Sequence, residues 1–228
     1  MAVRPDALAN RRRCSAPRAK LAGMGVERQR DSRRILFAPG AGALSSSGWM
    51  RAWTERLSAL GRVVAFDYAY QRQGRRGPDR PAELVADHRE ALAQARAGHD
   101  GPVFLAGKSM GGRIGCHVSL EARVDGLICF GYPLKGVNGA IRDEVLRQLA
   151  TPILFIQGTR DPLCPLDLLA TVTPQMRASH VLHVVAGGDH SLLVRKTDLA
   201  HQAKTQADVD AEILAAASAF IATAEQAT

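Results

Sequence analysis

The stretch "VFLAGKSMGGR", residues 103–113, contains two side chains that could do chemistry, Lys108 and Ser109, and they belong to incompatible readings. A phosphate-binding loop has the form G-x-x-x-x-G-K-[ST], because successive backbone N–H groups must wrap the phosphates while the lysine reaches them. Counting back five from Gly107 gives Pro102, which has no N–H, and the four residues between, Val103 to Ala106, form an apolar run of strand character. The nucleotide reading fails twice. Gly107-x-Ser109-x-Gly111 instead fits a nucleophile elbow: a strand that ends abruptly, a serine on a tight turn with small neighbours, and a helix directly after it. Gly112 gives that helix room to approach the strands.

A serine hydroxyl is a weak nucleophile at neutral pH, so a histidine must take its proton and a carboxylate must hold the histidine in the right tautomer. In strand–elbow–helix proteins these partners follow in the order Ser, Asp or Glu, His. "FIQGTRDPLCP" places Asp161 just past an apolar run, and "VVAGGDHSL" places His190 on a glycine-rich loop after the last one. Asp189 adjoins His190 and is poorly placed to bond its ring, so it is read as a loop-shaping residue. His88, His99, His117, His180, His183 and His201 lie in helical, turn or strand surroundings and are read as structural. A tetrahedral oxyanion needs preorganised donors. The backbone N–H of Met110, next after the nucleophile, is one candidate. The N–H of Ala41, in "FAPGAGAL", is the other. Phe37, Trp49, Tyr68, Tyr132, Pro133 and Leu163 are candidates to line a substrate pocket, with Tyr132, Pro133 and Leu163 preferred.

These side chains need a scaffold. From residue 35 onward short apolar runs alternate with longer stretches of helical period, which predicts parallel strands joined by helices. Strands are expected at 35–37, 63–66, 103–106, 126–130, 153–156 and 181–185. Helices are expected at 48–60, 81–97, 110–122, 140–149, 165–172 and 206–223, with a surface loop at 71–80. No second apolar block suggests a large lid. The expected organisation is a flexible basic arm, 1–34, followed by one domain, 35–228.

Of the formal charge of +8, +7 sits in the arm, which holds ten Lys or Arg against three acids, leaving 20 basic and 19 acidic residues elsewhere. A near-neutral domain of this kind is not expected to bind nucleic acid. The arm has no apolar core like that of a secretory signal, and no stretch reaches the 18 or more apolar residues of a membrane span. Cys14, Cys116, Cys129 and Cys164 form no C-x-x-C pair, so thiols in a reducing cytoplasm are expected, with no metal and no cofactor.

"PGAGA" at 39–43, "GKSMGGR" at 107–113, "GYPL" at 131–134, "QGTRDPLCP" at 157–165 and "GGDHSL" at 187–192 together resemble an α/β-hydrolase. More narrowly, the chain resembles the group typified by a testis-expressed protein and a chromatin-complex subunit, distant relatives of dienelactone hydrolases. The likeness covers about 35–220. It implies an α/β-hydrolase fold, a mostly parallel sheet of about six strands with helices on both faces, and a small-molecule acyl substrate. Ser109, Asp161 and His190 match the triad positions. The first-strand loop departs from the pattern, since it opens with Pro39 where relatives often carry histidine. The group also includes members whose binding role outweighs turnover, which keeps a non-catalytic protein-interaction module as the rival reading.

Overall fold

The computed structural model describes residues 32–136 and 138–226. Six strands form one parallel sheet: β1 (Arg34–Ala38), β2 (Arg62–Ala65), β3 (Val103–Lys108), β4 (Gly126–Phe130), β5 (Ile153–Gly158) and β6 (His180–Val185), in the order β2-β1-β3-β4-β5-β6. The order turns back on itself at β1, so the crevice between the C-terminal ends of β1 and β3 is where such a sheet opens a site. Most of the arm expected at 1–34 lies outside the described residues. Its last two residues belong to the domain: Arg34 begins β1, while Arg33 donates to Glu225 and to the Leu60 carbonyl (3.3 Å).

Alternation along the buried strands builds two cores. Ile35, Phe37, Phe104, Ala106, Ile128 and Phe130 face α1 (Gly48–Leu57) and α8 (Gln206–Gln226). Leu36, Leu105, Leu127, Cys129, Ile153 and Phe155 face α3 (Pro81–Arg96), α4 (Met110–Glu121), α5 (Glu144–Gln148) and α6 (Leu166–Val172). The helices meet the sheet through residues three and four apart, such as Met50, Trp53 and Leu57 on α1 or Val209, Ile213 and Ala217 on α8. Both faces of the inner strands β1, β3, β4 and β5 are therefore covered, as parallel strands with continuous apolar runs require, while the edge strands β2 and β6 are partly exposed.

Two short helices complete the chain, α2 (Ala69–Arg72) and α7 (Lys196–His201). The segment expected as a loop at 71–80 is thus helical at its start, where Tyr70 and Gln71 are buried. The helix expected at 140–149 begins later. Ile141 bridges to Lys135 in antiparallel fashion, and helical backbone starts only at Glu144.

Candidate active site

Three loops at the C-terminal edge of the sheet bring Ser109, Asp161 and His190 together. His190 Nε2 lies 2.8 Å from Ser109 Oγ, and His190 Nδ1 lies 2.8 Å from Asp161 Oδ2. Ser109 sits at the turn between β3 and α4 with φ 50° and ψ −114°, a conformation costly for a side chain bearing Cβ. Two contacts hold it there. Its N–H donates to the Phe130 carbonyl (2.9 Å), and α4 runs back over β3 so closely that a Cβ on Gly107 would come within 2.2 Å of the Gly112 nitrogen. Only glycine at 107 permits that approach.

The Asp161 side chain is fully buried and accepts from the Leu163 N–H (2.9 Å) and the Gln157 amide (3.4 Å). A carboxylate held this way cannot swing away from the imidazole. The His190 loop is fixed from three sides. Lys108, almost wholly buried at the end of β3, donates to the His190 carbonyl. The Trp49 indole donates to the Ser191 carbonyl (3.0 Å), and Asp189 Oδ1 accepts from the N–H groups of Ser191 (2.7 Å) and Leu193 (3.0 Å). Asp189 does shape this loop. Burial holds the Lys108 pKa down at about 8 despite the opposing charges of Asp161 and Asp189, and its ammonium lies 5.7 Å from the Trp49 ring centroid.

Facing Ser109 is the loop after β1. The Gln71 amide donates to the carbonyls of Gly40 (3.0 Å) and Ala43 (2.9 Å), and the Tyr70 hydroxyl donates to that of Ala41 (2.9 Å). With these carbonyls drawn outward, the Ala41 N–H donates to nothing among the described residues. Met110 occupies the first helical position of α4, where an N–H has no intrahelical acceptor. Both residues border a cavity of about 320 Å³ that contains Ser109, with Leu84, Pro133 and Leu163 as apolar walls. A larger depression of about 420 Å³ lies along 41–44 and Tyr70 to Arg76, and Ser109 is not part of its wall.

Tyr132 is not in this cavity, contrary to expectation. It is fully buried, its ring edge-on to Phe155 with centroids 5.7 Å apart, and its neighbour Pro133 lines the cavity instead. Phe37 and Tyr68 are likewise core residues, and Trp49 packs on Phe37 and Phe130.

The pattern of the alpha/beta hydrolase domain matches residues 31–222. The chain belongs to the alpha/beta hydrolase family. Among solved structures, this alpha/beta hydrolase is similar to an alpha-beta serine hydrolase homologue from Coxiella burnetii (21% identity, 70% of this chain and 77% of that one, TM-score 0.60). It is also similar to Est1E from Butyrivibrio proteoclasticus (15% identity, 85% and 90%, TM-score 0.58) and to the RedJ thioesterase of prodiginine biosynthesis in Streptomyces coelicolor (19% identity, 75% and 85%, TM-score 0.55). At these identities the likeness is one of fold.

Several residues at the alpha/beta hydrolase site carry no motif in the sequence. Gln71 and Tyr70 stand in an arginine-rich stretch that reads as surface. Arg113 borders the cavity one turn beyond Ser109, within "GKSMGGR", where the glycines and serine dominate the reading. Lys108 next to the nucleophile reads in the sequence only as the lysine of a phosphate loop that the sequence excludes, and its burial at the end of β3 was not legible. Nor was its use as a donor to a carbonyl 82 residues away.

Proposed function

We propose that this alpha/beta hydrolase is a serine hydrolase acting on carboxylic esters or related acyl bonds through Ser109, His190 and Asp161. The observation that carries the reading is the unbroken chain of contacts from Ser109 Oγ to His190 Nε2 and from His190 Nδ1 to Asp161 Oδ2, each 2.8 Å. His190 accepts the hydroxyl proton as Oγ bonds to the substrate carbonyl carbon, and the carbonyl π electrons move to its oxygen. The N–H groups of Met110 and Ala41 receive that oxyanion. Collapse breaks the bond to the leaving alcohol, which takes the proton from His190. Water, deprotonated by His190, then cleaves the acyl-enzyme, returning the proton to Ser109. Asp161 keeps Nδ1 protonated and stabilises the imidazolium throughout.

The narrower placement beside the testis-expressed and chromatin-complex-subunit domains rests on the series of motifs alone. The free, buried thiols of Cys116, Cys129 and Cys164 support a reducing cytoplasm as the place of work. The test is labelling with a fluorophosphonate probe and hydrolysis of short p-nitrophenyl esters. The modified residue maps to Ser109, and Ser109→Ala loses both labelling and more than 10³-fold of the ester turnover. Unchanged turnover in that variant would refute the mechanism; an inert wild-type protein that co-purifies with a protein partner would favour the interaction-module reading.

A further inference from the structure

The cavity in front of Ser109 is cationic. Arg113, Lys135 and Arg142 border it, against one carboxylate, Asp79, a net of +2. That carboxylate is already engaged by the Arg75 guanidinium, whose Nη2 donates to Asp79 Oδ2 at 2.9 Å. None of the ion pairs among the described residues includes Arg113, Lys135 or Arg142.

Arg113 is half-buried, its Nε is buried without a hydrogen-bond partner, and its Nη1 lies 3.4 Å from His117 Nε2. Burial foremost, and the like charge of Arg142, hold its pKa below the ordinary guanidinium value, with Tyr132 opposing. The His117 pKa is lowered too, by burial and then by Arg113, which leaves its imidazole neutral and able to accept from Nη1. Two guanidiniums that repel each other beside a reactive serine, with donors unused, are costly unless an anion completes the site. Guanidinium forks match the planar geometry of a carboxylate.

We propose that the cavity binds an anionic acyl group: Arg113 and Arg142 hold a carboxylate at the far end of the acyl chain whose ester carbonyl lies at Ser109, and exposed Lys135 draws it in. This rests on the serine-hydrolase reading and deepens it, making the substrates hemiesters of dicarboxylic acids. Arg113 is well placed for this role because it follows Ser109 by one helical turn, its N–H donating to the Ser109 carbonyl (3.2 Å), so nucleophile and anion site ride on one rigid element.

The test compares p-nitrophenyl hemiglutarate with p-nitrophenyl valerate, which has an acyl chain of equal carbon count and no charge. The full chain is expected to show a kcat/KM at least tenfold higher for the hemiglutarate, a preference that shrinks as salt is added. In Arg113→Gln and Arg142→Gln the preference collapses toward unity, mainly through KM, whereas Arg113→Lys retains part of it. Equal rates for the two esters, or a preference untouched in both glutamine variants, would overturn the proposal while leaving the Ser109 mechanism standing. Should neither ester be turned over and the probe leave Ser109 unlabelled, the hydrolase reading falls first. Glutarate binding to Ser109→Ala, measured by calorimetry, then decides the anion site: binding weakened tenfold or more by Arg142→Gln supports it, and no binding of glutarate refutes it.

Discussion

At Ser109 the backbone and the side chain have opposed demands. The φ of 50° would suit glycine, yet the hydroxyl must be there to meet His190 Nε2. The strain is offset by the N–H bond to Phe130 and by the packing of α4, and its presence separates two variants that both lack the hydroxyl. Ser109→Gly frees the turn, whereas Ser109→Ala keeps the Cβ and the strain. Both should be inactive, and the glycine variant should be more stable than the alanine one by about 1 kcal/mol in urea unfolding. Equal stabilities would mean that the turn is relaxed as it stands. At this scale Ser109, Asp161 and His190 were legible because chemistry restricts their types and the fold restricts their order. Arg113 and Gln71 were not, since what they do depends on neighbours 28 or more residues away, such as Arg142 for one and the Gly40–Ala43 loop for the other.

The elements that set this geometry are β1, β3 and α4, and their contact depends on missing side chains. A Cβ on Gly111 would lie 2.5 Å from the Ala38 carbonyl oxygen and 2.6 Å from that of Pro39, both backbone atoms that cannot turn aside. A Cβ on Gly112 would meet the Gly107 oxygen at 3.0 Å and the Cys129 sulfur at 3.1 Å, contacts that small shifts can relieve. Gly111→Ala should therefore cost roughly 3 kcal/mol or more and also abolish probe labelling, because α4 must lift from β1 and carry Ser109 with it. Gly112→Ala should cost about 1 kcal/mol and retain labelling; thermal unfolding and probe labelling of the two variants check both. The order of these glycines was readable as a motif. The inner strands were readable as well, because apolar runs buried on both faces leave little else to form. Short α2 and α7 were not, since four to six residues hold a helix only through contacts outside themselves, such as the Gln71 bonds to the β1 loop.

Across the whole molecule, two buried bases tie stability to pH. His88 on α3 is fully buried with its Nδ1 3.1 Å from the Tyr68 hydroxyl, its Nε2 without a partner, and Phe66 against its ring. Burial holds its pKa down at about 3. An unfolded chain takes up this proton near pH 6.5, so between about 6.5 and 3 the unfolded state binds more protons and stability falls as pH falls. The gap corresponds to roughly 5 kcal/mol when fully expressed, of which about 3 kcal/mol is lost between pH 7 and pH 4. Lys108 acts in the same direction on the alkaline side. Its folded pKa of about 8 lies below the 10.5 of a free lysine, so stability rises with pH across that window by about 3 kcal/mol. Urea unfolding should show a wild-type acid limb steeper than that of His88→Gln by about 3 kcal/mol over pH 7 to 4, and a rise above pH 8 that Lys108→Met lacks. An acid limb of equal slope in His88→Gln would place the burden on the carboxylates instead. The loss should be felt at the site itself: His88 bonds Tyr68, whose N–H donates to Gln71 Oε1 (3.0 Å), and Gln71 holds the Gly40–Ala43 loop that presents the Ala41 N–H. Because folded His88 takes up a proton only near pH 3, this support is lost together with the fold rather than before it, so the pH at which acid exposure abolishes ester turnover should match the unfolding midpoint and lie lower in His88→Gln, and turnover should return when the protein is brought back to pH 7.5.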